Sequence, residues 1–185
     1  MKSPVIISPL QSTQYNMGRV LLVLNQWNRR YQHPVELDRA MIIDFAVQYP
    51  RTFLTLVPES EYILRSHGFA QADLGDYFVA RKFTLIRENF VQVVSTLVAH
   101  SLADVSVPTK GDEFVRIGLT DLGLQTSREF QTQLSQIIVL LSDAYSLAWG
   151  SKDLKKLLGE MRRSLPEQSE LVQQLAKPFG SWLED

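Results

Sequence analysis

The side chains that could do chemistry in this sequence are few and scattered. Its three histidines are His33, His67 and His100. None has a second histidine four residues on, or carboxylates at metal-ligand spacing. Asp38, Asp44, Asp73, Asp76 and Glu88 offer carboxylates, but not in a nuclease-like spacing that ends in a lysine. There is no cysteine, which excludes thiol nucleophiles, disulfides and cysteine-ligated metals. Phosphate-cradling loops of the Walker or Rossmann type are absent, as is a Gly-x-Ser-x-Gly elbow. Gly111-Asp112-Glu113-Phe114 matches four letters of the signature of diguanylate cyclases, yet the α/β surroundings and nucleotide-binding residues that chemistry needs are missing. The expectation is a chain with no active site, no metal and no cofactor.

Binding chemistry is the alternative, and charge bears on it. With 19 Lys and Arg against 20 Asp and Glu, the formal net charge is −1. A protein that lives on phosphate backbones gains affinity by releasing counterions and usually carries a basic excess. Nucleic-acid contact here must therefore come from a local patch. Between Tyr77 and Gly118 five cations face four anions, a thin balance for a groove reader, with Lys110 and Arg116 the candidate phosphate contacts. The denser patch is Lys152, Lys155, Lys156, Arg162 and Arg163. On a helix, Lys152, Lys155, Lys156 and Arg163 fall on one side, and Leu154, Leu157, Leu158, Met161 and Leu165 largely on the other.

The elements that must position these groups are mostly helical. Tyr15, Val20, Leu24, Trp27 and Tyr31 recur at helical spacing over 12–31, and His33-Pro34 ends that run. A second helix is expected over about 36–49, stopped by Pro50. Asp44 sits on its apolar side, where pairing or capping inside the fold is the natural role. A short helix over about 60–67 ends at Gly68. A long helix from Thr84 to Ala103 is expected to turn Leu85, Phe90, Val93, Val94, Leu97, Val98 and Leu102 inward. Val105–Val107 and Phe114–Ile117 then read as two strands of a hairpin. Leu119-Thr120-Asp121-Leu122-Gly123 follows, with Thr120 placed to cap the next helix.

That order predicts a mainly α chain with a small β-hairpin: a single domain with a winged-helix core over about 36–123 and helical extensions at both ends. The extensions are the helix 12–31, a strongly amphipathic helix 127–149, and a basic helix with its tail over 151–185. Phe130, Leu134, Ile138 and Tyr145 on the helix 127–149, with Phe179 and Trp182 in the tail, are the candidate partner-binding residues, since aromatic anchors dominate interface energetics. No stretch approaches the roughly 18–20 apolar residues of a membrane span, and the N-terminal residues do not read as a signal peptide. A cytoplasmic protein that does not touch membranes is expected.

These residues carry a resemblance. Ser8-Pro9-Leu10 before a long apolar helix, then Leu37-Asp38-Arg39-Ala40-Met41-Ile42-Ile43-Asp44-Phe45, a short helix, a long helix, the wing and Leu119–Gly123 together resemble the middle components of bacterial ABC three-component systems. These include the small subunit of Lamassu-type defence operons. The likeness covers roughly residues 5–165, and Phe69–Lys82 departs from it. It implies a non-enzymatic adaptor between an SMC-like (Rad50-like) ATPase and an effector nuclease, in anti-phage or anti-plasmid defence. It leaves open whether this chain touches DNA itself. The residues alone also admit a dimeric winged-helix transcription regulator, paired through the helix after the wing.

Overall fold

The computed structural model describes residues 13–68, 79–108, 114–130 and 132–165. It is mainly helical, with one small antiparallel sheet. The elements run α1 (Thr13–Tyr31), β1 (Val35–Glu36), α2 (Leu37–Gln48), a 3-10 turn (Pro50–Phe53), α3 (Glu59–Ser66), α4 (Val79–Thr84), α5 (Ile86–Ala99), β2 (Ala103–Ser106), β3 (Arg116–Leu119), α6 (Asp121–Arg128), α7 (Gln133–Trp149) and α8 (Leu154–Ser164).

Two helices make the centre. Along α2 every residue from Arg39 to Val47 is buried, as expected of a helix apolar on nearly all sides. Along α1 the run Val20–Leu24 is wholly buried, because α7, α5, α6, α2 and the sheet surround it. The sequence reading treats α1 as an extension flanking a core that begins near residue 36. In the folded chain it is an interior helix. The core continues through an aromatic column in which Tyr145 stacks on Trp149, their ring centroids 4.7 Å apart, and Phe53 meets Trp149 edge-on.

Two antiparallel strands pair where the hairpin is expected, but about two residues nearer its base than the expected 105–107 and 114–117, at Ala103–Ser106 and Arg116–Leu119, and a third strand joins them. β3 lies between β1 and β2, antiparallel to both, with Ile117 opposite Val35 on one side and Val105 on the other. Ile117 and Val35 are buried, so β1 anchors the sheet to the helices. At two residues β1 is too short for an alternation pattern to reveal, and the sequence reading absorbs it into the start of α2.

The junctions follow the local chemistry of their residues. α5 ends with Ser101 in the left-handed region at φ 57°. The Leu102 N–H then donates to the Leu97 carbonyl and the Ser101 N–H to the Val98 carbonyl, both at 2.9 Å. That is a Schellman closure with serine where glycine is usual. α5 is therefore shorter than expected: Leu102 and Ala103 have already left it, while Leu85 precedes it and is exposed. Thr120 caps α6 as its position predicts, accepting from the Gly123 N–H at 3.0 Å. Its hydroxyl also donates to the Ser101 carbonyl at 2.7 Å. Gly123 in turn runs so close to the Leu102 carbonyl that a Cβ there would overlap it.

The helix expected over 127–149 starts later: Ser127 and Arg128 end α6, and α7 begins at Gln133. Thr132 begins α7 by accepting from the Ser135 N–H at 3.1 Å, and the Ser135 hydroxyl folds back on the Thr132 and Phe130 carbonyls. Serine and threonine that satisfy nearby backbone in this way favour a helix start over a helix interior. α8 begins at Leu154, with Asp153 as its N-cap accepting from the Lys156 N–H at 2.9 Å.

Candidate interaction surfaces

The segment that carries most of the resemblance, Leu37–Phe45, is built into the interior. Asp44 receives the Arg19 guanidinium through Nε at 2.8 Å and Nη2 at 3.1 Å, which ties α2 to α1. Arg19 also donates to Asn16 and lies over the Tyr15 ring. Burial alone pulls the Arg19 guanidinium toward neutrality, but the charge and hydrogen bonds of Asp44 outweigh it and hold it more basic than usual. Burial likewise raises the Tyr15 phenol, against the opposing pull of Arg19. Asp44 thus pairs inside the fold, as its place on an apolar face suggests. Arg39, also buried, donates to Glu36 at 3.0 Å and, at 2.5 Å, to the carbonyl of Trp149 at the end of α7. The two buried charged residues of the motif, Arg39 and Asp44, find their partners within the chain itself.

The candidate partner residues separate into inner and outer sets. Ile138 and Tyr145 are interior, packed in the core rather than displayed on a surface. Burial pushes the Tyr145 phenol well above its usual range. Phe130 and Leu134 are partly exposed, at 39% and 37%. Phe130 lies in the link before α7, its ring against Gly18 of α1, and so is half engaged within the fold. Phe179 and Trp182 lie outside the described residues.

The outer face of α7 instead presents Leu140 and Leu147, with Leu147 65% exposed. On α5, Glu88, Val91, Gln92, Ser95 and Val98 all face solvent. Val98, expected inward, belongs to this outward set. Side chains four or seven residues apart share one helix face. The signal was present in the sequence, but an apolar stripe wider than one core can cover does not say which edge stays outside.

The candidate nucleic-acid contacts also divide. Lys110 lies outside the described residues. Arg116 is half-buried on the central strand, opposite Glu36 and Ser106, and has an interaction partner within the fold. Lys152 precedes α8 and pairs with Glu160 at 3.1 Å. That hydrogen bond, with the charges of Lys152, Lys156 and Arg163, outweighs burial and holds the Glu160 carboxyl below its usual range. Lys155, Lys156 and Arg163, joined by Arg162, are exposed on α8, while Leu157 and Met161 on its opposite side are fully buried. The amphipathic split of the basic helix is therefore as expected, with Lys152 taken out of it by an acid.

The histidines are separate. His33 Nδ1 lies 2.9 Å from the Pro34 carbonyl, His67 Nδ1 2.9 Å from the Ile63 carbonyl, and His100 closes α5. Among the described residues, no three acidic or histidine side chains come together as a metal site, and no helix is long and apolar enough to cross a membrane. No protein-family profile, curated protein or solved structure matches the chain.

Proposed function

We propose that this chain is a non-catalytic winged-helix adaptor that bridges an SMC-like (Rad50-like) ATPase and an effector nuclease in an anti-phage or anti-plasmid defence complex. The winged-helix reading draws support from the chain order α1, β1, α2, α5, β2, β3 and from a first strand that pairs with the last. The short helices α3 and α4 are then an insertion between the second and third core helices.

One observation carries the adaptor role: the composition of the outward face of α5. In a winged helix that reads DNA, the helix before the wing enters the major groove and needs cations and amide side chains toward phosphates and bases. Here that face offers Val91, Val98, Gln92 and Ser95, with Arg87 beside Glu88. A valine face flanked by one acid and one base suits a protein surface better than a phosphate backbone. Leu140 and Leu147 add a second apolar strip on a different helix, and α5 and α7 both pack on α1. A bridging subunit needs two such faces.

The test is co-expression with the products of the two adjacent genes, followed by mass measurement of the purified assembly. A stable complex containing a coiled-coil ATPase is expected, with V91E/V98E releasing one partner while the chain stays folded. A chain that purifies alone as a dimer and shifts its own upstream promoter would instead be a transcription regulator, and the adaptor reading would be wrong.

A further inference from the structure

The first turn of α8 carries a charge pattern that works against the helix's own stability. Lys155 and Lys156 stand in the first turn, with no acidic residue beside them within the helix turn, where the helix dipole disfavours positive charge. One turn further, Gly159 occupies a mid-helix position, where glycine is a poor helix former. Nothing lies within 4 Å of the place a Cβ would take on Gly159, so no contact in the described fold requires a glycine there. Both choices weaken α8 and neither is explained by packing.

Geometry gives them a common purpose. Lys155 and Arg162 form one row and Lys156 and Arg163 another, each pair seven residues apart, with Gly159 between the rows. Seven residues of helix span about 10 Å, roughly the axial length of three successive phosphates on one strand. The acids nearby are engaged: Glu160 pairs with Lys152, and Asp153 caps the helix. No described carboxylate forms an ion pair with Lys155, Lys156 or Arg162, although Glu160 feels the charges of Lys156 and Arg163; Arg163 Nε rests on the Gly159 carbonyl at 3.2 Å, leaving its other guanidinium N–H groups to reach outward. We infer that this face is a nucleic-acid backbone clamp, in which four cations straddle a bare stretch of helix that lets a phosphate strand approach closely. It recognises backbone rather than sequence, and it stands independently of the adaptor reading.

The experiment is fluorescence anisotropy of the full chain with a labelled mixed-sequence 24-base-pair duplex, across a salt series. Wild type should bind at low salt and lose roughly 40- to 150-fold in affinity between 50 and 200 mM salt, the slope for three or four neutralised phosphates. K155E/R163E should weaken binding at least about tenfold at 50 mM salt, where the phosphate contacts count most, with an unchanged far-UV CD spectrum. Gly159→Leu separates docking from folding. It should raise the melting temperature, leucine being the better helix former, yet weaken binding by blocking the approach. Wild-type binding absent at 50 mM salt, or undiminished in K155E/R163E, would overturn the inference. Tighter capture of a poly-glutamate peptide than of the duplex at equal salt would also overturn it, in favour of an acidic protein partner.

Discussion

Arg39 reaches across the core to close a helix that ends 110 residues later: its Nη1 donates to the Trp149 carbonyl at 2.5 Å. The last carbonyls of a helix lack intrahelical donors, and this one is buried beside a fully buried indole. A charged donor is the strong way to satisfy it. Replacing Arg39 by Met keeps the apolar stem and removes the donor, and should cost about 1.5–3 kcal/mol, the range for hydrogen bonds to charged groups. Urea unfolding of the variant reads this directly, and an unchanged midpoint would mean that the Trp149 carbonyl finds another donor.

The Arg19–Asp44 pair makes a sharper prediction because both partners are buried. Arg19→Met or Asp44→Leu alone strands an unpaired charge in the core and should cost about 3–5 kcal/mol. The double variant strands nothing and should recover most of that loss. A double-mutant cycle in urea tests it. Single losses that simply add would show that the two side chains do not act as a pair.

Gly123 and Thr120 explain the Leu-Thr-x-x-Gly exit from the sheet. Thr120→Ala removes a cap and should cost about 1 kcal/mol. Gly123→Ala should cost more than about 1 kcal/mol, since its methyl group meets backbone, the Leu102 carbonyl, rather than a movable side chain. Thermal melts of the two variants should rank in that order.

Asp143 supplies a pH dependence. Burial raises its carboxyl, but hydrogen bonds from Arg30 and Gln26 and the charge of Arg30 outweigh that and leave it below the usual range. A depressed carboxyl stabilises the fold above its unfolded pKa of about 3.9, and that contribution is lost as pH falls through the folded value. The group is partly exposed, so its share is under about 1 kcal/mol. Asp143→Asn should melt slightly below wild type at pH 7, and the gap should shrink as pH falls below about 3.9.

Helix positions, the hairpin and the Thr120 cap were legible in the sequence because each depends on residues close together in the chain. What escaped depends on distant partners. The two residues of β1 become a strand only because Ile117 and Arg116 lie beside them. Ile138 with Tyr145 and Leu140 with Leu147 lie on opposite sides of a helix that is apolar nearly all round, and only the placement of α1, α2 and α3 decides which side is covered. Arg39 and Asp44 read as a distinctive motif, but their saturation by Trp149, Glu36 and Arg19 is invisible without the fold. The basic side of α8 was legible because one short helix carries both the charge and the apolar face opposite it. The removal of Lys152 by Glu160 was not.

The packing of α1 against α7 also orders the protein's birth. Hydrogen bonds from Gln26 to Asp143, at a separation of 117, and from Tyr31 to Ser146, at 115, hold the two helices together. On the ribosome α2 can meet α1 early, but the side of α1 that α7 covers stays open while more than a hundred residues are made. At about 5–20 residues per second in synthesis, that is an interval of several seconds or more. During it that side of α1 is open to non-native contacts, and completion of α7 is the step that closes it.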